Sequence, residues 1–356
     1  MNKAGQFQCL RFLACAAVVG AIGEGIHADP AYPEKRSPFL AVPLVSSNPK
    51  LDTSVGAMVG YLKQFDQESM PSLFGVSGTY SASDSHVLIA FGQTFFAQGR
   101  QRFNFALSEG KANNDYDNFL DSGMPAQTTD NFDALAVRYL VSPGSYWYFG
   151  AQALSSNYVI EAEGLLDQML EDIGLTGLQS VGLGLVAEYD SRDNARNPAA
   201  GQYFNVQNYW YREALGGNAN FDAVRADWSS YLPVGDRYTL ATQATGRLTQ
   251  GAPVTGYSSI SLRGYVRGMY LAPNYTHLAV DNRLKLKGNW SVTAYAGLAC
   301  LYDSLSDCSR SADLFPAIGV GLSYLLRPRA GIILRADITQ GKHDNQAFYL
   351  TLKNPF

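Results

Sequence analysis

The amino-acid sequence predicts an all-β protein, a transmembrane antiparallel up-and-down β-barrel of about sixteen strands. Three observations carry the prediction. The end of the chain alternates, with Phe348, Leu350 and Leu352 on one face and Ala347, Tyr349, Thr351 and Lys353 on the other, and it stops on Phe356. Beyond residue 28 there is no apolar run of about 18 residues, so no helix can span a bilayer. A chain that enters lipid without one must close a barrel, because only closure pairs every backbone donor and acceptor. Between the ends, alternating segments of about ten residues are separated by turn chemistry, the pattern of barrel strands.

From the start of the chain, Lys3 and Arg11 flank a short apolar run from Phe12 to Gly23, and Ile26-His27-Ala28 offers a small residue before Asp29-Pro30. This has the build of a secretory signal peptide over residues 1–28, too short for a span. Cys15 lies at the start of the run rather than after it, which argues against a lipoprotein. Residues 29–38 then form a short periplasmic segment, and the barrel occupies 39–356. Alternation places strands from Phe39 to Val45, Ser54 to Phe65, Leu73 to Ala82, His86 to Ala97, Gln101 to Glu109, Asn131 to Val141, Tyr146 to Val159 and Ser180 to Tyr189. The second half repeats the pattern, from Gly201 to Arg212, Phe221 to Leu232, Arg237 to Arg247, Tyr275 to Leu286, Trp290 to Leu301, Phe315 to Leu326, Gly331 to Thr339 and Gln346 to Phe356. Tight turns such as Ser142-Pro143-Gly144-Ser145 and Lys287-Gly288-Asn289 take turns with long polar loops, Gly110 to Asp130 and Gly251 to Asn274 among them, as periplasmic turns and outer loops must. In the strand from Gly331, Ile332, Leu334, Ala336 and Ile338 are expected to face lipid while Arg335 and Asp337 face inward. Leu165, Leu166, Met169, Leu170 and Ile173 recur at helical spacing in an acidic loop, which predicts a short helix over the barrel rim; a partner-binding helix is the alternative.

Composition agrees. Gly 34, Tyr 22 and Phe 18 are high and only 16% of residues are charged, as suits one lipid face and one wet face. The formal net charge of -4 gives no case for nucleic acid. Cys9 and Cys15 leave with the signal peptide. Cys300 and Cys308 flank a polar segment in an oxidising compartment and are expected to form a disulfide, two free thiols being the alternative. His86, His277 and His343 show no metal spacing, there is no G-x-S-x-G elbow, and Gly182-Leu183-Gly184 lacks a third glycine. His277, Ser259 and Asp281 supply the residue types of a hydrolase triad and nothing more. No enzyme, cofactor or metal is therefore expected. Asp190-Ser191-Arg192-Asp193 reads as a solvated turn with local pairing rather than a calcium cluster.

Several motifs recur in order through the second half. Gly182-Leu183-Gly184-Leu185 leads to Tyr189-Asp190-Ser191-Arg192-Asp193-Asn194, then Asn197-Pro198 and Gly201-Gln202-Tyr203. Leu262-Arg263-Gly264-Tyr265 follows, then Asp281-Asn282-Arg283, Tyr295-Ala296-Gly297, Gly319-Val320-Gly321-Leu322-Ser323-Tyr324 and Leu334-Arg335-Ala336-Asp337. The series, ending on Phe356, resembles the bacterial surface-antigen, or BamA/TamA-like, barrels over about residues 180–356. That resemblance implies a turn motif of Asp190, Arg192, Asp193, Asn194, Pro198 and Gly201, and a long loop folded into the lumen by Arg263, Gly264 and Tyr265. Candidate luminal partners are Asp281, Arg283, Asp337, Arg335 and Glu188, because a guanidinium in a water-poor lumen needs a carboxylate or several carbonyls. Phe356 would close the targeting strand that barrel assembly machinery reads. The chain departs from the family pattern at Tyr295, Asn282 and Ser323. Residues 29–38 also leave no room for a periplasmic docking (POTRA) domain, so a barrel without that arm is expected. The resemblance implies an outer-membrane protein that aids membrane-protein insertion, secretion or transport with partners, or alternatively a structural scaffold. Outer-membrane lipid, lipopolysaccharide and an unknown protein or second copy are the expected partners.

Overall fold

The computed structural model describes residues 37–48, 52–116, 125–162, 165–328, 330–342 and 345–352. The predicted signal peptide and Phe356 lie outside the described residues. The strands are β1 (Phe39–Asn48), β2 (Asp52–Lys63), β3 (Ser72–Ser81), β4 (His86–Phe96), β5 (Gln101–Tyr116), β6 (Ala126–Val141), β7 (Trp147–Glu161), β8 (Gly177–Asp190) and β9 (Gly201–Tyr211). They continue with β10 (Phe221–Val234), β11 (Tyr238–Gln250), β12 (Ser258–Ser259), β13 (Leu271–Ala272), β14 (Asn274–Lys285), β15 (Trp290–Tyr302), β16 (Leu314–Arg327), β17 (Ile332–Gln340) and β18 (Gln346–Thr351); one helix, α1 (Leu165–Asp172), precedes β8. All but β12 and β13 form one closed antiparallel barrel in chain order, sealed where β1 meets β18. β12 and β13 pair with each other inside the loop between β11 and β14.

Alternation explains the wall. On β14, Tyr275, His277, Ala279, Asp281 and Arg283 turn inward and are buried, whereas Leu278 and Leu284 are exposed outside. Outward Val55, Leu107, Leu185, Ile318 and Val320 extend the apolar band around the barrel. Aromatic pairs, Phe39 with Tyr61, Trp147 with Tyr189 and Trp290 with Tyr324, ring its short-turn end.

Each expected barrel strand has a counterpart, with two informative differences. β5 and β6 extend far past the alternating stretch, pairing as far as Tyr116 and Ala126. Their extension is polar outside and mixed inside, where Ala112, Tyr116 and Ala126 are buried beside Asn114 and Thr128, and it is tied by side-chain bonds, Asn114 to Thr128 at 2.9 Å and Thr129 to Asn113 at 3.0 Å. Ile332 does not face lipid. A register shift between Leu325 and Arg327 breaks the alternation at the foot of β17, and Ile332, 1% exposed, packs with Leu40, Val42, Met58 and Ala330 inside the barrel.

The lumen is filled at the long-loop end. Leu170 and Leu175 from the α1 region, Tyr116 and Ile160 from the wall, and Ile260, Leu262, Tyr265, Val266 and Met269 from the β11–β14 loop form one buried cluster. Each large apolar side chain so buried contributes about 1.5–3 kcal/mol. Met169, on another face of the helix, and Ile173, just past its end, remain exposed.

Candidate functional site

The inward faces of β14 and β17 carry carboxylates that no apolar core tolerates unpaired. Asp281 and Asp337 are fully buried, with β15 and β16 between their strands. Glycine on β16 gives the side chains room to cross: a Cβ on Gly321 would stand 2.4 Å from Asp337 Oδ1. Arg335 binds both carboxylates, its Nη1 3.0 Å from Asp281 Oδ2 and its Nη2 2.7 Å from Asp337 Oδ1. The β11–β14 loop adds a second guanidinium from above. Arg263 reaches Asp281 at 2.5 Å and Asp337 at 3.2 Å, and lies 3.6 Å from the centroid of the Tyr295 ring. Tyr295 thus offers the guanidinium a π face.

The neighbours of Arg263 fix the loop to the wall. Gly264, at φ 95°, brings its backbone against Gly341 and Thr339, and its amide donates to Tyr349 Oη at 3.3 Å. The Tyr265 hydroxyl donates to the Pro316 carbonyl at 2.5 Å and accepts from the Lys342 amide at 2.8 Å. Its ring meets Phe315 and Tyr270 edge-on. His277, by contrast, bonds Tyr275 and Gln243 through its two ring nitrogens, while Ser259 Oγ accepts from the Gly268 amide. The triad residue types are therefore engaged in separate structural bonds.

The turn motif builds a second centre at the other end of the lumen. Asp190 is held by Arg192 at 2.7 Å and Arg102 at 2.9 Å; Arg102 also pairs with Glu188 and lies over the Tyr148 ring at 3.8 Å. Tyr203 donates to Glu188 at 3.0 Å. Burial works against the Arg192 charge, yet Asp190 overrides it and holds the guanidinium above its ordinary range. Asp193 accepts from the Ala199 and Ala200 amides at 2.9 and 3.2 Å, and Asn194 from those of Arg196 and Asn197 at 2.9 and 3.0 Å. Gly201, at φ 99°, ends the turn. The two centres meet through Arg283, which lies 3.6 Å from Asp281 and donates to the Pro198 carbonyl at 3.2 Å. Beside the turn, a cavity of about 1200 Å³ opens toward Gln64, Arg100 and Tyr146.

Some contributors escaped sequence reasoning. Arg102 had a legible signal, an inward-facing charge on an alternating strand. Arg196 had none: its side chain leaves the turn for Gln93 Oε1 at 2.8 Å and the carbonyls of Pro71 and Ala330 at 2.8 and 3.1 Å. It forms no ion pair among the described residues, and burial pushes its guanidinium down to about 10.

Pro43 also had a legible signal. The Leu62 amide donates to the Pro38 carbonyl at 2.8 Å, so even-numbered residues of β1 turn their backbone toward β2 and odd-numbered ones toward β18. Pro43 thus places a nitrogen without hydrogen on the β18 side. Among the described residues, β1 and β18 register only at Val45 with Leu350, Ser46 with Tyr349 and Ser47 with Phe348. On its other side β1 pairs with β2 from Phe39 with Tyr61 to Asn48 with Asp52. Cys300 and Cys308 are joined in a disulfide at the long-loop end.

Comparison with known proteins places this geometry. The Omp85 superfamily domain matches residues 72–268. Among solved structures, BamA from Haemophilus ducreyi lacking POTRA domains 1-3 is similar at 12% identity and a TM-score of 0.55, over 89% of this chain and 70% of that one. CdiB from Acinetobacter baumannii is similar at 12% identity and a TM-score of 0.58, over 89% of this chain. CdiB from Escherichia coli gives 13% and 0.57, over 91%. The chain spans 60% and 63% of the two CdiB chains. No curated protein sequence matches it.

Proposed function

The chain belongs to the Omp85 superfamily, and from that premise we propose that it inserts or translocates polypeptide at the bacterial outer membrane through the seam between β1 and β18. One observation carries the reading: Pro43 turns a nitrogen without hydrogen into that seam, where β1 and β18 register at three pairs among the described residues, while β1 pairs with β2 along its whole length. A ladder that lacks a donor is a place where a barrel wall opens at lower cost, and an opened edge offers unpaired backbone to an incoming strand. On this reading the long loops face outward and the apolar band meets outer-membrane lipid and lipopolysaccharide. Residues 1–28 are a cleaved signal peptide followed by a short periplasmic segment, 29–38. The C-terminal strand is what barrel assembly machinery recognises. A protein partner or second copy supplies client delivery.

Paired cysteines at Ser47 and Phe348, oxidised to lock the seam, test the proposal in liposomes supplied with an unfolded outer-membrane barrel protein. Client folding, read by heat-modifiable mobility, is expected to stop in the locked form and return on reduction. Equal client folding with the seam locked and reduced overturns it. The alternative, a scaffold barrel without translocation, would then stand, as favoured by the lumen packed shut at the long-loop end.

A further inference from the structure

The β8–β9 turn starts on the wall opposite the seam, yet its Arg196 reaches both flanks of that seam. In the order around the barrel, β3, β2 and β1 lie on one side of the junction and β18 and β17 on the other. Pro71 immediately precedes β3, and Ala330 lies in the turn that leads into β17. A single Arg196 nitrogen, Nη1, donates to both carbonyls, at 2.8 Å to Pro71 and 3.1 Å to Ala330. We propose that Arg196 is a latch that ties the two flanks of the β1–β18 seam together across the lumen and must let go before the seam parts. The inference rests on the seam reading given above and adds a residue that controls it.

The surroundings fit a clamp rather than a chance contact. Arg196 is buried, its Nε is fixed by Gln93 on β4, and its guanidinium lies over the Phe95 ring at 5.4 Å. With no carboxylate beside it among the described residues, the group has been taken out of water for hydrogen bonds to carbonyls, which hold well only while both flanks keep their places. The turn is also seated on the β17 flank directly: a Cβ on Gly331 would stand 2.1 Å from Asn194 Oδ1, the same oxygen that accepts from the Arg196 amide. Below the latch, Leu40, Val42 and Met58 from one flank pack with Ala330 and Ile332 from the other. Spreading the flanks would separate these side chains and the two carbonyls in one motion. Arg283, bound to the Pro198 carbonyl of the same turn, links the latch to the Arg263 centre.

Hydrogen–deuterium exchange of the whole protein in detergent, without any client, tests the latch. Arg196→Ala is expected to speed exchange of β1 amides about tenfold, the loss of charge-assisted bonds being of that order, while β10 and β11 on the far wall stay as in wild type. Unchanged β1 exchange overturns the proposal, and so does an equal rise around the whole barrel. Should Arg196→Ala fail to assemble, Arg196→Gln keeps a donor that cannot span both carbonyls; faster β1 exchange is again expected, and wild-type exchange overturns the latch. Because this experiment reads no transport, it separates the two readings. A seam lock that stops client folding, with β1 exchange unmoved by Arg196 variants, leaves the seam standing and removes only the latch.

Discussion

Arg263 and Arg335 share two carboxylates but differ in what depends on them. Arg335 belongs to the wall and is the shortest contact to Asp337, whereas Arg263 arrives on a loop. Arg335→Ala leaves Asp337 to the loop's Arg263 and Asp281 to Arg263 and the more distant Arg283, and is expected to cost about 3–5 kcal/mol. Arg263→Ala leaves both carboxylates paired with Arg335, so its cost, about 1–3 kcal/mol, falls on the loop. Protease should then cut between Gly251 and Pro273 while heat-modifiable unfolding shifts little; Arg335→Ala should show the larger fall in unfolding temperature. The reverse ranking would refute the tether. Asp281→Asn combined with Arg263→Ala should be non-additive, as for residues in one network. At the short-turn end, the Ser69 hydroxyl, with the amides of Gln98, Ser69 and Glu68, holds the Asp66 carboxyl below its ordinary 3.8. A carboxylate depressed in the folded state contributes stability above the unfolded value and loses it as pH falls through the folded one. Amide exchange at Gln98 and Gly99 should therefore rise on acidification below about 3.8, and Asp66→Asn should remove that dependence.

For the elements, what was legible depended on whether a partner has a signature in sequence. Alternation reports which way a side chain points, so Arg335 and Asp337 were readable as inward. The upper ends of β5 and β6 bury alternate residues but carry polar side chains outside, so no apolar alternation marks them as strand. The Arg263-Gly264-Tyr265 loop was legible only through family resemblance, since no periodicity says that an outer loop turns back inside. Arg196 was unreadable for a further reason: its partners are main-chain carbonyls, which every residue owns. The disulfide loop between β15 and β16 was legible from spacing and compartment, and its energetics stay local. Closing so short a loop constrains the unfolded chain by about 2–3 kcal/mol, but the strands beside it are held by full ladders. Reduction should expose residues 303–313 to protease without altering barrel mobility, and an impermeant thiol reagent should label whole cells only after reduction. Labelling without reductant would refute the bond or its placement.

Taken whole, the barrel is occupied from both ends, by α1 and the β11–β14 loop at one and the β8–β9 turn at the other. Planar bilayers containing it should pass little current, and removing residues 254–270 should raise conductance at least several-fold; a large steady conductance in the intact protein would contradict the packed lumen. The same arrangement imposes an order on biogenesis. Arg196 and its acceptors at Pro71 and Ala330 are 125 and 134 positions apart in the chain, and contacts so distant form only after the intervening strands are in place. A β8–β9 hairpin formed before the flanks at Pro71 and Ala330 have closed over it keeps its guanidinium in water. Burial of that turn is thus a timestamp for completed closure, and a cysteine placed in it would tell a finished barrel from one stalled short of closure.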